Sequence, residues 1–376
     1  MQNKIKRIAV VGSTGSIGGN TLDVARYQKN HIEILGLVAG NNISLLQKQI
    51  NEFKPRFVYC NQFNRLVGTF EYLPAEEMAS HPDVDLVIIA TTGKAGLNPT
   101  IAALKAGKTV AIANKEILVM AGEILTAMAS KYKATILPID SEHSAIWQCL
   151  RGEDGTIKKI ILTASGGPFF NRTDDLSCVS VEQALNHPTW KMGKKVTIDS
   201  ATLFNKGMEV IEAHHLFHIP YDRIEIFIHR QSIIHSMVEF IDGSIKAQLS
   251  VPDMRLPIQY AIFYPERMIN PSIESIDFSR IRNLTFEPVD YQIFPCLQLA
   301  LNAAQKGCSY PAVLCAADEV AVQSFLNRQI KFNEIAHIIE NTLNLHKAIP
   351  RPEMEDILAA DEWARDIAYK IARKEI

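Results

Sequence analysis

The sequence predicts an α/β protein: a doubly wound parallel sheet, then an α+β segment, then a small helical domain. Three observations carry that prediction. Over residues 1–140, short apolar runs alternate with amphipathic stretches. From about residue 150 the runs alternate apolar and polar residues instead. Residues 291–376 are rich in Ala, Leu and Glu at helical spacing, punctuated by Gly307, Pro311 and the Pro350/Pro352 pair.

The strand-like runs are Ile5–Val11, Ile32–Val38, Arg56–Cys60, Val84–Ala90, Thr109–Ala113 and Thr135–Ile139. Most are rich in Val and Ile, which suits strands buried on both faces. Thr21–Tyr27, Ile43–Phe53 and Asn98–Ala106 between them read as helices. Alternation of this kind builds a parallel sheet, whose ligands lie beyond the carboxyl ends of the strands. Three of those ends are polar: Thr91-Thr92-Gly93, Asn114-Lys115-Glu116 and Asp140-Ser141-Glu142. Ile157–Thr163 reads as a strand ending at Ser165-Gly166-Gly167-Pro168, and a helix is expected from Asp199-Ser200 to His215. Ile224–His229, Ile233–Ile241 and Ser244–Ser250 have antiparallel character. The expected domains are 1–140, 141–264 and 291–376, with a proline-bearing linker at 265–290.

Composition excludes several classes. The 376 residues are 47% apolar, too apolar for a disordered chain. Lys plus Arg number 39 and Asp plus Glu 41, a net charge of -2, which disfavours a general nucleic-acid binder. No stretch approaches the ~18 apolar residues of a membrane span, and Met1–Val11 lacks the features of a signal peptide. The six cysteines are scattered without a CxxC pair, as expected of reduced thiols in the cytoplasm and against a zinc–thiolate site.

Gly12-Ser13-Thr14-Gly15-Ser16-Ile17-Gly18 follows the first buried run and precedes a helix-like segment. Strand, glycine-rich turn and helix start together form a pyrophosphate cradle, the mark of a Rossmann-like dinucleotide domain. The second strand ends Val38-Ala39-Gly40-Asn41-Asn42, without the carboxylate that holds the ribose of NAD. Its absence favours NADP, although neither Asn41 nor Asn42 is basic.

Asp140 and Glu142, two apart in an extended strand end, would point to one side and converge on a cation. Glu209 shares a helical face with Asn205 and Lys206. All-oxygen donors at an open site suit Mg²⁺ or Mn²⁺. The same Asp-Ser-Glu also reads as a helix cap with first-turn acids, and Glu212 is an equal candidate ligand by pattern. Ser165-Gly166-Gly167, Ser200 at the expected helix start, Asn205 and Lys206 suit an anion, each with a plain cap or solvated-side-chain alternative. Asn186–Gly193, containing Trp190, suits a mobile lid or a loop with Trp190 tucked inward.

Taken together, these motifs resemble those of the 1-deoxy-D-xylulose 5-phosphate reductoisomerase family. The resemblance rests on Gly12–Gly18, Asn114–Glu116, Asp140–Ser144, Ser165–Pro168, His187–Gly193, Asp199–Glu209, Val251–Pro257 and Ala316–Ala321, spanning nearly the whole chain. It implies a Rossmann-like NADP-binding domain, an α+β catalytic domain with a flap at about 186–193, and a C-terminal helical domain. It also implies a homodimer, NADPH as cofactor and a divalent metal. The implied reaction converts 1-deoxy-D-xylulose 5-phosphate to 2-C-methyl-D-erythritol 4-phosphate by skeletal rearrangement and hydride reduction. By matching positions, Asp140, Glu142 and Glu209 would hold the metal, which decides against Glu212. Ser165, His187, Ser200, Asn205 and Lys206 would hold the phosphate. Ser141 and Lys115 would contact the carbon–oxygen skeleton, and Trp190 would pack on the substrate. Thr14, Gly15, Ser16 and Ile17 would meet the cofactor pyrophosphate, Gly40, Asn41 and Asn42 its adenosine end, with Asn114, Glu116 and Gly193 nearby. Many family members carry a basic residue where this chain has Asn41. Two other classes stay open: a semialdehyde or homoserine-type dehydrogenase, and a non-catalytic NADP(H)-binding regulator.

Overall fold

The computed structural model describes residues 5–170 and 176–376. Two compact units emerge, one formed by Met1–Ile117, Leu125–Ser144 and Asp253–Ile276, the other by Leu118–Ile124, Ala145–Pro252 and Asp277–Ile376.

The first unit holds seven parallel strands: β1 (Lys6–Val11), β2 (Ile32–Val38), β3 (Phe57–Tyr59), β4 (Glu71–Tyr72), β5 (Leu86–Ile89), β6 (Thr109–Ile112) and β7 (Thr135–Pro138). Their order is 4-3-2-1-5-6-7. The chain winds one way from β1 to β4, then returns to the other side of β1 with β5. A ligand crevice lies at such a reversal, beyond the ends of β1 and β5. Ile8, Val10, Leu37, Ile88, Ile89 and Val110 are fully buried, as expected of strands covered on both faces. Helices Ser16–Tyr27, Ile43–Phe53 and Leu97–Lys105 follow β1, β2 and β5. Helix Arg255–Phe263 returns late in sequence to pack on Ser16–Tyr27. The expected linker is bound to this unit in its first half: Gln259 Nε2 donates to the Met268 carbonyl at 2.8 Å, and Gln28 Nε2 to that of Ile269 at 2.7 Å.

The second unit holds β8 (Ile157–Ala164), β9 (Ile224–Ile228), β10 (Ile234–Phe240), β11 (Ile245–Leu249) and β12 (Glu287–Pro288), in the order 11-10-8-9-12. The sheet is mixed, because β8 and β9 run parallel while the other pairs are antiparallel. Helices Lys194–Ala201 and Phe204–Phe217 share one core with the C-terminal helices Pro295–Lys306, Tyr310–Leu326, Glu334–Leu345 and Met354–Ala372. Gly207 is the close-contact point: a Cβ there would strike Ala300. The C-terminal helices therefore back the helix that carries Asn205, Lys206 and Glu209, rather than standing as a body apart.

Two local expectations are corrected. The helix expected from Asp199 is two helices. Lys194–Ala201 ends, Leu203 takes a left-handed φ of 55°, and Phe204–Phe217 begins. Thr202 stabilises the break, its hydroxyl donating to the Ile198 carbonyl at 3.2 Å and accepting from Phe204 N at 3.3 Å. Ser200 thus lies in the last turn of a helix, not at a start, and offers its hydroxyl rather than helix-start N–H groups. The second correction concerns Asp140 and Glu142. β7 stops at Pro138 and a helix starts at Ser141, so the two carboxylates flank a helix start, as in the cap reading, instead of pointing to one side of a strand end.

Candidate active site

In the first unit the glycine loop is built by close packing. A Cβ on Gly18 would run into the Gly12 carbonyl and sit 2.6 Å from Ser13 Cα. Gly12 has φ 95°, where a Cβ would lie 2.6 Å from the Ala90 carbonyl oxygen. Helix Ser16–Tyr27 starts at Gly15 with no side-chain cap and no acid in its first turn. Thr14, Gly15, Ser16 and Ile17 therefore present a helix N-terminus to an anion. The loop is locked from behind by Gln49, which the sequence did not single out. Ser13 Oγ donates to Gln49 Oε1 at 2.9 Å, and Gln49 Nε2 returns to the Ser13 carbonyl at 2.8 Å, both residues buried.

Beyond β2, Gly40 and Asn41 are exposed, and Asn42 caps helix Ile43–Phe53 by accepting from Leu45 N at 3.2 Å. Asn61 Nδ2 donates to Asn41 Oδ1 at 3.1 Å. Beyond β6, Asn114 is buried and caps helix Lys115–Tyr132. Its amide donates to Thr91 Oγ1 at 3.1 Å and to the Gly93 carbonyl at 2.8 Å, tying two polar strand ends together. Glu116 is buried in that helix's first turn.

Lys115, Asp140, Ser141 and Glu142 converge in the same unit. Lys115 Nζ lies 2.6 Å from Asp140 Oδ2, and both are largely buried. Ser141 N donates to Asp140 Oδ1 at 3.1 Å, and Ser141 Oγ to Glu142 Oε2 at 2.5 Å. A lysine this buried costs several kcal/mol unless paired, so Asp140 holds it in place as much as Lys115 holds Asp140. The donor set is all oxygen, which fits a hard divalent cation.

In the second unit a polar cluster gathers at the end of β8. His187 Nε2 lies 3.0 Å from Ser165 Oγ and 3.1 Å from Ser200 Oγ. Its Nδ1 accepts from Thr189 N at 3.1 Å and Trp190 N at 2.9 Å, which puts the imidazole proton on Nε2, facing both serines. Burial, reinforced by the charge of Arg230, pushes His187 down to about 4, so the ring is neutral at pH 7. On helix Phe204–Phe217, Asn205 Nδ2 donates to Glu209 Oε1 at 2.5 Å, and Lys206 Nζ pairs with Glu209 Oε2. Lys206 and Glu209 are almost wholly buried, as is Glu212 one turn on.

The segment between Ala184 and Lys194 has no regular structure, and Trp190 within it is half-buried with its ring 6.1 Å from that of His235. Gly193 caps helix Lys194–Ala201. That helix is fastened by Lys195, paired with Asp199 at 2.6 Å and with Asp318 of the C-terminal helices at 2.9 Å. Lys195 and Arg230 were not singled out from sequence, and Asp318 only as part of the Ala316–Ala321 motif; Asp318 and Arg230 act on partners far along the chain. Cys149 is a poor nucleophile: it is buried in helix Ser141–Leu150, and burial pushes its thiol up to about 11. That disfavours the thiolate a semialdehyde dehydrogenase needs.

Comparison with known proteins gives a consistent result. Residues 8–122 match the family model for 1-deoxy-D-xylulose 5-phosphate reductoisomerase, residues 136–217 that for its C-terminal domain, and residues 249–367 that for the DXP reductoisomerase C-terminal domain. The 1-deoxy-D-xylulose 5-phosphate reductoisomerase of Caldanaerobacter subterraneus subsp. tengcongensis is 50% identical, over 98% of this chain and 99% of its own. The Zymomonas mobilis reductoisomerase in complex with NADPH superposes with a TM-score of 0.89 at 40% identity, covering 98% of this chain and 99% of that one. A DOX-P reductoisomerase holding NADPH, fosmidomycin and magnesium superposes with a TM-score of 0.92 at 38% identity, with 98% of each chain covered. The chain belongs to the 1-deoxy-D-xylulose 5-phosphate reductoisomerase family.

Proposed function

We propose that Asp140, Glu142 and Glu209 hold the divalent cation with which this chain, an NADPH-dependent oxidoreductase, converts 1-deoxy-D-xylulose 5-phosphate to 2-C-methyl-D-erythritol 4-phosphate. One observation carries the reading: the likeness to a reductoisomerase bearing NADPH, and to one bearing NADPH, fosmidomycin and magnesium, runs through 98% of the chain.

When bound, the metal supplies Lewis acidity for the skeletal rearrangement and NADPH supplies the hydride that reduces the rearranged aldehyde. The chain's own groups bind and orient. Lys115, Ser141 and Glu142 hold the oxygens of the carbon skeleton, with the Lys115–Asp140 pair setting the ammonium's position. Ser165, His187, Ser200, Asn205 and Lys206 hold the phosphate, remote from the bonds that change, and supply binding energy that serves the chemical step. The Asn186–Gly193 segment acts as the flap, Trp190 excluding water when it closes. Thr14, Gly15, Ser16 and Ile17 take the pyrophosphate at the uncapped helix start. Gly40, Asn41 and Asn42 take the adenosine end, where the absence of a carboxylate tolerates a 2′-phosphate, and Asn114, Glu116 and Gly193 complete the cofactor wall. The working form is a cytoplasmic homodimer. In support, edge strand β11 begins with the exposed apolar Ile245, and Ile241 is exposed in the turn that precedes it; all six cysteines are free. No helix among the described residues is long and apolar enough to cross a membrane.

Phosphorus NMR of the incubated enzyme tests the reaction. With 1-deoxy-D-xylulose 5-phosphate, NADPH and Mg²⁺, the expected result is one branched phosphomonoester formed per NADPH oxidised. An unbranched reduced sugar phosphate would make the chain a plain dehydrogenase. No consumption of NADPH by a folded, metal-loaded sample would favour a cofactor-binding regulator.

A further inference from the structure

Ser165-Gly166-Gly167 makes an unusual turn. Gly166 and Gly167 both have left-handed φ, 79° and 64°, and a Cβ on Gly167 would lie 2.6 Å from the Ser200 carbonyl oxygen. The turn thus packs on the backbone of another residue assigned to the phosphate. Arg230 captures its carbonyls: Nη1 donates to Ser165 O at 2.9 Å and to Gly167 O at 2.8 Å. Gly167 N in turn donates to Ser165 Oγ at 3.3 Å.

Arg230 is itself held. It follows the buried His229, whose backbone N donates to the Ala164 carbonyl at 2.7 Å. The ring Nε2 of His229 accepts from Ile233 N and Ile234 N, each at 3.2 Å. The Arg230 guanidinium lies 5.7 Å from the centroid of the Phe170 ring. Charge balance singles it out further. The cations Lys206 and Lys195 are each paired with a carboxylate. Arg230 makes no carboxylate pair among the described residues. A phosphate dianion is favoured by a cation that no carboxylate already neutralises.

We propose that Arg230 is a positioning residue for the substrate phosphate: its guanidinium holds the Ser165–Gly167 turn so that Ser165 faces His187, and its charge adds to the field at that end. The inference rests on the phosphate reading of Ser165, His187 and Ser200. The charge of Arg230 also acts with burial to keep the His187 ring neutral, with its one proton set on Nε2 by the two backbone N–H groups that Nδ1 accepts.

Steady-state kinetics of Arg230→Gln and Arg230→Lys, with Ser200→Ala as reference, test it. Arg230→Gln is expected to raise KM for 1-deoxy-D-xylulose 5-phosphate by about tenfold, the loss of one charge-assisted interaction. Its kcat and its KM for NADPH should stay near the parent values, and the rise of substrate KM with ionic strength should flatten. Arg230→Lys, which keeps the charge but not the planar fork, should fall between parent and Gln. An unchanged substrate KM in Arg230→Gln overturns the proposal while Ser200→Ala still raises it. So does a rise in both KM values together with a lower Tm, which marks a merely structural role. An unchanged substrate KM in Ser200→Ala as well overturns the phosphate reading and, with it, the role of Arg230.

Discussion

Glu209→Gln is expected to lower kcat by roughly a thousandfold, about 4 kcal/mol of transition-state stabilisation, and to shift the Mg²⁺ titration to higher concentration. The substitution keeps the shape of the side chain and removes one anionic ligand. It also strips Lys206 of the carboxylate it pairs with in a nearly closed interior. Breaking a buried pair by removing one partner costs about 3–5 kcal/mol of stability, so a loss of activity alone would be ambiguous. Two measurements separate the causes. The metal dependence of turnover reports the ligand role when it is read in a background without the Lys206 charge, which would itself repel Mg²⁺. The double variant Glu209→Gln with Lys206→Met supplies that background: it should recover Tm without recovering kcat or the parent Mg²⁺ titration. A Mg²⁺ titration that matches the parent would remove Glu209 from the metal site.

Gly18→Ala carries the second large effect. The backbone conformation of Gly18 suits any residue, so the requirement for glycine is the space it leaves. An added Cβ meets the Gly12 carbonyl and the Ser13 backbone, neither of which can swing aside as a side-chain tip would. Ser13 is held by the buried Gln49 pair, so the loop does not yield and the start of helix Ser16–Tyr27 must move instead. That displacement takes the pyrophosphate-binding N–H groups off their target. NADPH affinity, measured by fluorescence titration, should weaken by about a hundredfold, the loss of roughly two charge-assisted hydrogen bonds. Binding at the phosphate cluster of the second unit should be untouched. Parent-like NADPH affinity would mean that the loop does not hold the pyrophosphate.

Much of this was legible in the sequence because the first unit follows a local rule. Apolar runs of four to seven residues alternate with helical periods, and each run found its strand to within two residues at either end. β4 escaped because Glu71-Tyr72 is two residues long and exposed, with no period to detect. Helix Ala75–Ser80 escaped for a similar reason, being too short for an amphipathic stripe. The candidate site was legible where polar groups are concentrated in a tripeptide, as at Asn114-Lys115-Glu116 and Asp140-Ser141-Glu142. It was also legible at helical spacing, as where Asn205 and Lys206 both reach Glu209. The misplaced helix start at Ser200 shows the limit. A break at Thr202-Leu203 depends on a hydroxyl satisfying the backbone and on a leucine accepting left-handed φ, and neither has a pattern. The roles of Gln49, Asp318 and Arg230 were invisible because each acts on a partner 36 or more residues away.

The most direct test of the carboxylate site is the loss of NADPH absorbance with 1-deoxy-D-xylulose 5-phosphate, before and after EDTA, and after restoring Mg²⁺ or Mn²⁺. Turnover should vanish with the chelator and return with either metal, while NADPH binding measured without substrate stays intact throughout. Turnover that persists in EDTA would contradict a catalytic role for a metal held by Asp140, Glu142 and Glu209.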